Sequence, residues 1–378
     1  MAQMELVQAL MAGARGRRML WEFATASEEE LLPAFGEHPL HAAMFYAAYH
    51  VAVERGESVG LFGADESSMP ETSVQQIARR LDGTTLVPAT AALLQQALVR
   101  SVDSARYWQE PDGEDTLLAL PELAAPLERV ARHLADSGLA AWWLDTVDLR
   151  NQFQVEFDQH DPQGRTQAPG SNAPGILQEW RAGILATEAR DAAEMSSTPL
   201  GSFGGEWWSK PSSRLPSTTG VFPDREPVGL SCVEDGFGWE QASVRFTSVP
   251  PAAKVLEIAT AEDWIRLCRE HGIEVTAHKR HDWYLATGRD GAWKTPDWLA
   301  VARDYDGVHL GIGAYLALAG QCLDIDDKYA SVIAGWDPDQ TFWFTDELRC
   351  YGPAQEWICL DANNEDARWV PSGDGPSS

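Results

Sequence analysis

The chain has 378 residues, of which 44% are hydrophobic and 23% charged, a length for two or three domains and a composition that supports ordinary globular cores. Its 57 acidic and 29 basic residues give a net charge of −28, which repels phosphate backbones and anionic membranes and so argues against nucleic-acid and membrane partners. The densest basic cluster, Arg15-Gly16-Arg17-Arg18, is too small to reverse that argument.

The amino terminus has no basic residue ahead of its apolar stretch, so no signal peptide is expected. Met4, Leu6, Val7, Leu10 and Met11 recur at the helical period. His41–Arg55 places Met44, Phe45, Ala48, Val51 and Ala52 on one face and stops at Gly56. Pro70–Leu81, Pro88–Val102 and Leu117–Leu134 continue the helical pattern, with Pro121 and Pro126 marking breaks or new first turns. Ser104–Asp115 reads as a helix end followed by an acidic turn at Pro111-Asp112-Gly113. Asn151–Phe157 alternates weakly and reads as a strand or an edge. Residues 1–158 are therefore expected to form a helical domain.

Residues 159–225 read as a linker or long loop with one helix at 176–195, because Gly, Pro, Ser and Thr dominate around Trp207-Trp208. From Pro227 the pattern turns to β, and residues 226–362 are expected to form a mixed domain. Val228–Val233, Ala242–Val249, Lys254–Ile258 and Val308–Ile312 read as strands, and Ala261–His271 and Asp297–Tyr305 as helices. Ala330–Gly335 and Thr341–Phe344 read as a hairpin around Asp337-Pro338-Asp339. Residues 363–378 read as a disordered tail. The expected fold is α+β, an all-helical amino-terminal domain followed by a mixed carboxy-terminal one, and eleven of the sixteen tryptophans fall between Gly201 and Ser378.

The five cysteines, Cys232, Cys268, Cys322, Cys350 and Cys359, are odd in number and have no Cys-x-x-Cys spacing, which fits free thiols and a cytoplasmic location. No apolar run reaches eighteen residues, so no membrane span is expected. His278-Lys279-Arg280-His281-Asp282 has two histidines at metal-ligand spacing, but two cations lie between them, and a solvated loop is the expectation. Asp324, Asp326 and Asp327 lack the later glycine and glutamate of a calcium loop. No metal site is therefore expected.

One run of motifs carries chemistry. Arg214-Leu215-Pro216-Ser217-Thr218-Thr219-Gly220 is followed by Gly229-Leu230-Ser231, then Glu234-Asp235 and Trp239-Glu240. Lys254–Ile258 and Asp304-Tyr305-Asp306-Gly307-Val308-His309 come after them. Over about 130 residues this order resembles the ADP-ribosyltransferase superfamily, with its early strand of Arg or His beside Thr or Ser, its Gly-Leu strand and its late strand bearing Glu. The resemblance implies NAD as a ligand, held by Arg214, Thr218, Thr219, Gly229, Leu230, Ser231 and Trp239. A glycine at a strand edge lets the nicotinamide amide approach the main chain, hydroxyls bond ribose, and an aromatic stacks on the ring. His309 stands where the pattern carries Glu, so His309, Glu257 and Glu234 are the candidate catalytic residues; a carboxylate is what stabilises an oxocarbenium-like transition state. The alternative is a non-enzymatic, immunity-type protein whose acidic surface engages a basic protein partner.

Overall fold

The structure, a computed structural model, describes residues 2–32, 38–56, 69–158, 172–195, 197–201, 205–236, 238–362 and 367–373. The chain divides into two compact units, Met1–Ser101 with Glu110–Trp143, and Val102–Gln109 with Leu144–Ser378. The fold is α+β, with a helical first unit and a second unit that holds both sheets and further helices.

The first unit is built from α1 (Ala2–Ala12), α2 (Ala14–Leu31), α3 (Pro39–Glu54), α4 (Val74–Gly83), α5 (Ala91–Asp103), α6 (Gly113–Leu118) and α7 (Pro121–Ser137). Helix α4 starts at a capping box in which Ser73 and Gln76 satisfy each other's backbone N–H groups. Helix α7 buries Leu123, Leu127, Val130, Ala131 and Leu134, spaced three or four apart on one face. Pro121 occupies its first turn as expected, but Pro126 lies inside the helix with its ring buried. The basic cluster is spent internally: Arg15 pairs with Asp115 and donates to the Ser101 carbonyl at 2.8 Å, while Arg18 contacts Glu22 at 2.7 Å and Glu114 at 2.7 Å. Asp112 caps α6 by accepting the Asp115 N–H at 2.7 Å, so the acidic turn expected there opens a helix.

The second unit holds β1 (Gln152–Phe157), α8 (Ala173–Ala193), β2 (Ser217–Thr219), α9 (Val228–Ser231), β3 (Gln241–Ser248), β4 (Val255–Ile258), α10 (Ala261–His271), β5 (Gly272–Glu274), α11 (Thr276–Thr287), β6 (Ala292–Pro296), α12 (Trp298–Val301), β7 (Gly307–Leu310), α13 (Ile312–Leu318), β8 (Leu323–Asp324), β9 (Tyr329–Ser331), β10 (Gln340–Trp343), β11 (Arg349–Leu360) and β12 (Arg368–Pro371). One sheet runs β12-β11-β3-β1-β2-β10-β7-β4 and the other β5-β6-β9-β8. Pairing in the larger sheet is antiparallel except for β4 against β7.

Several sequence expectations change. Strand β1 falls within the expected helical domain of 1–158, yet it pairs on one side with β3 and on the other with β2, so it is central. Within 159–225, α8 spans Ala173–Ala193 and β2 joins the large sheet; residues 159–171 lie outside the described residues. The expected strand at Val228–Val233 is the single helical turn α9, which follows Pro227 and the Val221–Pro227 bridge that folds the chain back. The hairpin around Asp337-Pro338-Asp339 does not form, because β9 belongs to the small sheet and β10 crosses to the large one. The solvated loop at His278–Asp282 is α11, with His278, Lys279 and Asp282 buried. In the expected tail, β12 pairs with β11 and buries Trp369, while 363–366 and 374–378 lie outside the described residues.

Tryptophans organise the core of this unit. Trp298 packs edge-on against Trp336, and both lie against Trp264. Burial of an indole requires an acceptor for its N–H. Trp264 finds the Ser331 hydroxyl at 2.9 Å, Trp283 the Trp207 carbonyl at 2.8 Å, and Trp343 the Thr218 hydroxyl at 2.8 Å.

Candidate ligand cleft and a clamped histidine

Side chains alternate between the two faces of a sheet, so strand register decides which residues can act together. Thr218, Thr341, His309 and Glu257 fall in one row across β2, β10, β7 and β4. Phe153, Thr219, Gln340 and Leu310 form the adjacent row, on the opposite face.

The face that carries Phe153 and Thr219 bears a cleft of about 70 Å³. Phe153, Val155 and Phe157 of β1 form one wall, Ser217 and Thr219 lie on β2, and Gln340 opens β10. Gly229 of α9, Val233 and Asp337 close the other side. A Cβ on Gly229 would lie 3.2 Å from Thr219 Cγ2, so the helical turn approaches β2 as closely as a glycine permits. The buried side-chain oxygen of Gln340 has no hydrogen-bond partner, which leaves one acceptor at the cleft unspent.

On the other face, His309 is 1% exposed, and its Nδ1 lies 2.6 Å from Glu257 Oε2 and its Nε2 3.2 Å from Asp339 Oδ1. Burial pulls the imidazole pKa down, but its hydrogen bonds to Asp339 and Glu257 and their charges lift it to about 9, so His309 is a cation at neutral pH. Both carboxylates are engaged further. Glu257 Oε1 accepts the Val147 N–H at 2.9 Å, and Asp339 Oδ2 accepts the Gly220 N–H at 2.7 Å and the Thr219 hydroxyl at 3.3 Å. Asp339 adopts φ 58°, a left-handed conformation that aspartate tolerates better than most residues.

The third candidate acid, Glu234, does not line the cleft and is tied to it through Asp337. Glu234 N–H donates to Asp337 Oδ1 at 2.8 Å, and Glu234 Oε2 accepts the Gly335 N–H at 2.7 Å. Gly335 has φ 69°, and a Cβ there would meet Trp208 Cβ at 2.4 Å, so only glycine fits. Burial and the Asp337 charge push the Glu234 carboxyl up to about 8, which keeps it protonated at neutral pH.

The structure thus brings Thr219 and Gly229 together at the cleft; Thr218 also lines it, but its hydroxyl is engaged by Gln152 and Trp343 in the row of His309 and Glu257, on the opposite face. Leu230 is in the apolar core cluster with Trp239 packed against that cluster, where Trp239 stacks on Phe157 at 4.3 Å. Ser231 donates to the buried Glu226 carboxylate. Arg214 pairs with Glu179 at 2.6 Å and does not line the cleft. Sequence reading missed Asp337, Asp339, Gln340 and the β1 aromatics as site residues. The Asp337-Pro338-Asp339 triplet was a usable signal, since two carboxylates flanking a proline ahead of a strand are held in fixed directions.

Among the described residues, no group of three or more His, Cys, Asp or Glu side chains is arranged to hold a metal ion. None of the described helices is long and apolar enough to cross a membrane. No family model matches the chain, and no curated protein or solved structure matches it either.

Proposed function

We propose that the chain is an ADP-ribosyltransferase-like protein of the cytoplasm that binds NAD at the β2–α9 cleft without turning it over. The binding half of the reading draws on the gathering of Thr218, Thr219 and Gly229 around one cleft. NAD fits this chemistry at its nicotinamide end: the unpartnered Gln340 oxygen accepts an amide N–H, and hydroxyls of β2 supply further polar contacts. When bound, NAD would supply an activated glycosidic bond, and the chain's part is to hold the amide end and exclude water.

The observation that carries the silent half is the placement of His309 and Glu257 on the face of the sheet away from the cleft. Each is saturated by partners, and Glu234 is neutral near pH 7. No free carboxylate from the candidate set therefore stands ready to stabilise an oxocarbenium-like charge. Thermal melts with NAD or nicotinamide test the reading. Wild type should be stabilised, Gly229→Val should lose the stabilisation, and NAD hydrolysis should stay at background. Turnover in wild type that His309→Ala abolishes would restore His309 as a catalytic residue. Absence of any stabilisation would favour the second reading, a non-enzymatic protein that engages a basic partner, which the net charge of −28 supports.

A further inference from the structure

We propose that the β1–β2–β10 cleft takes a small flat organic cation, held between Asp337 and the aromatic wall of Phe153 and Phe157. The proposal rests on the NAD reading only for the cleft's location; its chemistry comes from the lining. A cleft of about 70 Å³, about half the cavity that encloses a benzene, takes one edge of a six-membered ring and leaves the rest of the ring in solvent. The wall is rigid and flat, because Phe157 stacks on Trp239 with centroids 4.3 Å apart and planes 14° from parallel, and Phe153 meets Phe246 edge-on. Aromatic faces attract cations, most strongly where water is excluded.

The charge balance points the same way. The cleft lining contains Asp337 and no Lys or Arg. Asp337 is 9% exposed, and burial raises its carboxyl above the usual range. Around the Glu234–Asp337 pair, Lys210 supplies a positive charge, the Tyr315 hydroxyl hydrogen-bonds Glu234, and the buried thiol of Cys232 lies within reach of Asp337's charge. Glu234 keeps its proton at neutral pH, with Lys210 as the lysine set against the pair. A cation in the cleft supplies the missing positive charge, Glu234 releases its proton to solvent, and the site stays neutral. An anion in the same place would add a third negative charge to a buried acidic pair.

N-methylpyridinium, a permanent cation, and toluene, its neutral isostere, test this on the full chain by backbone amide NMR at millimolar probe. The cation should shift the Thr218, Thr219 and Val233 amides and bind at least tenfold more tightly than toluene, on the order of the cation–π and charge contributions together. Its affinity should rise about tenfold between about pH 7 and about pH 9, as release of the Glu234 proton ceases to oppose binding. Asp337→Asn keeps an acceptor for the Glu234 N–H and should abolish the preference for the cation while leaving toluene binding unchanged. Equal binding of the two probes, no binding of either, shifts confined to other residues, or an Asp337→Asn protein that still prefers the cation would each overturn the proposal. Cation binding by a protein that NAD does not stabilise would retire the NAD reading and leave this one standing; the reverse result would do the opposite.

Discussion

His309 ties β4, β7 and the turn before β10 together through charge. Its folded pKa of about 9 stands above the ordinary 6.5, so the native state binds the extra proton. The clamp's contribution to stability is then complete below about pH 6.5 and is lost as pH rises through 9. Glu234 acts in the same direction at lower pH: its carboxyl is raised from 4.5 to about 8, so stability falls across that window as the unfolded chain, and not the buried group, releases its proton. Denaturant melts across pH should show a decline between 6.5 and 9 that His309→Gln makes shallower, leaving the part due to Glu234. His309→Ala leaves Glu257 and Asp339 without the cation between them and should cost about 3–5 kcal/mol at neutral pH, measured by the same melts. His309→Glu, which would restore the family pattern's carboxylate, puts a third acid between two and should be less stable still. Lys279 runs the other way. Burial depresses its amine to about 8, and Nζ donates to the Glu206 carbonyl at 2.8 Å. The unfolded chain takes up the proton more readily between 8 and 10.5, so stability should rise over that range and Lys279→Met should lack the rise.

Elements were legible where local chemistry decided them. Helix α10 is marked by Thr260 and Asp263, which close a capping box at its start, and by Trp264, Leu267 and Cys268 on one buried face. Thr260→Ala should therefore cost about 1 kcal/mol, read from a chemical melt. Strands β3 and β4 announce themselves by alternation and branched residues, and they lie within a residue or two of expectation. Helix α11 was hidden because its polar run is satisfied by residues far along the chain. Glu188 accepts the Ala277 and His278 N–H groups, and Asp191 and Glu206 take the two nitrogens of His278. No local pattern encodes partners 72 to 90 residues away. The same holds for the candidate site. Thr218, Thr219 and Gly229 could be picked out by their neighbours in sequence, but which face of the sheet His309 occupies depends on the register of β2, β10 and β7, set by long-range pairing. Strand β12 was masked by a composition of Gly, Pro, Ser and Asn around a short apolar core, Trp369-Val370.

Across the whole molecule, the five cysteines are free thiols with unequal access. Cys232 and Cys268 are buried, and burial raises both thiols, Cys268 to about 12. Thiol titration should find all five in denaturant without reductant, while in native buffer Cys232 and Cys268 should react last. A count of three or fewer in denaturant would show that disulfides form.

The strand order of the large sheet also governs when the protein can fold. Strand β1 leaves the ribosome long before any neighbour, since Gln152 meets Thr218 across 66 residues, and Thr218 in turn meets Trp343 across 125. Closing such loops before contacts reward them is slow. A nascent chain that has just passed β2 lacks β3, which pairs along the whole of β1, so that edge is bare and Phe153, Val155 and Phe157 lack the core they pack against. Exposed strands of that kind recruit one another. Chains stopped near residue 230 should therefore aggregate during synthesis, whereas chains stopped near 143, which end before β1, should stay dispersed.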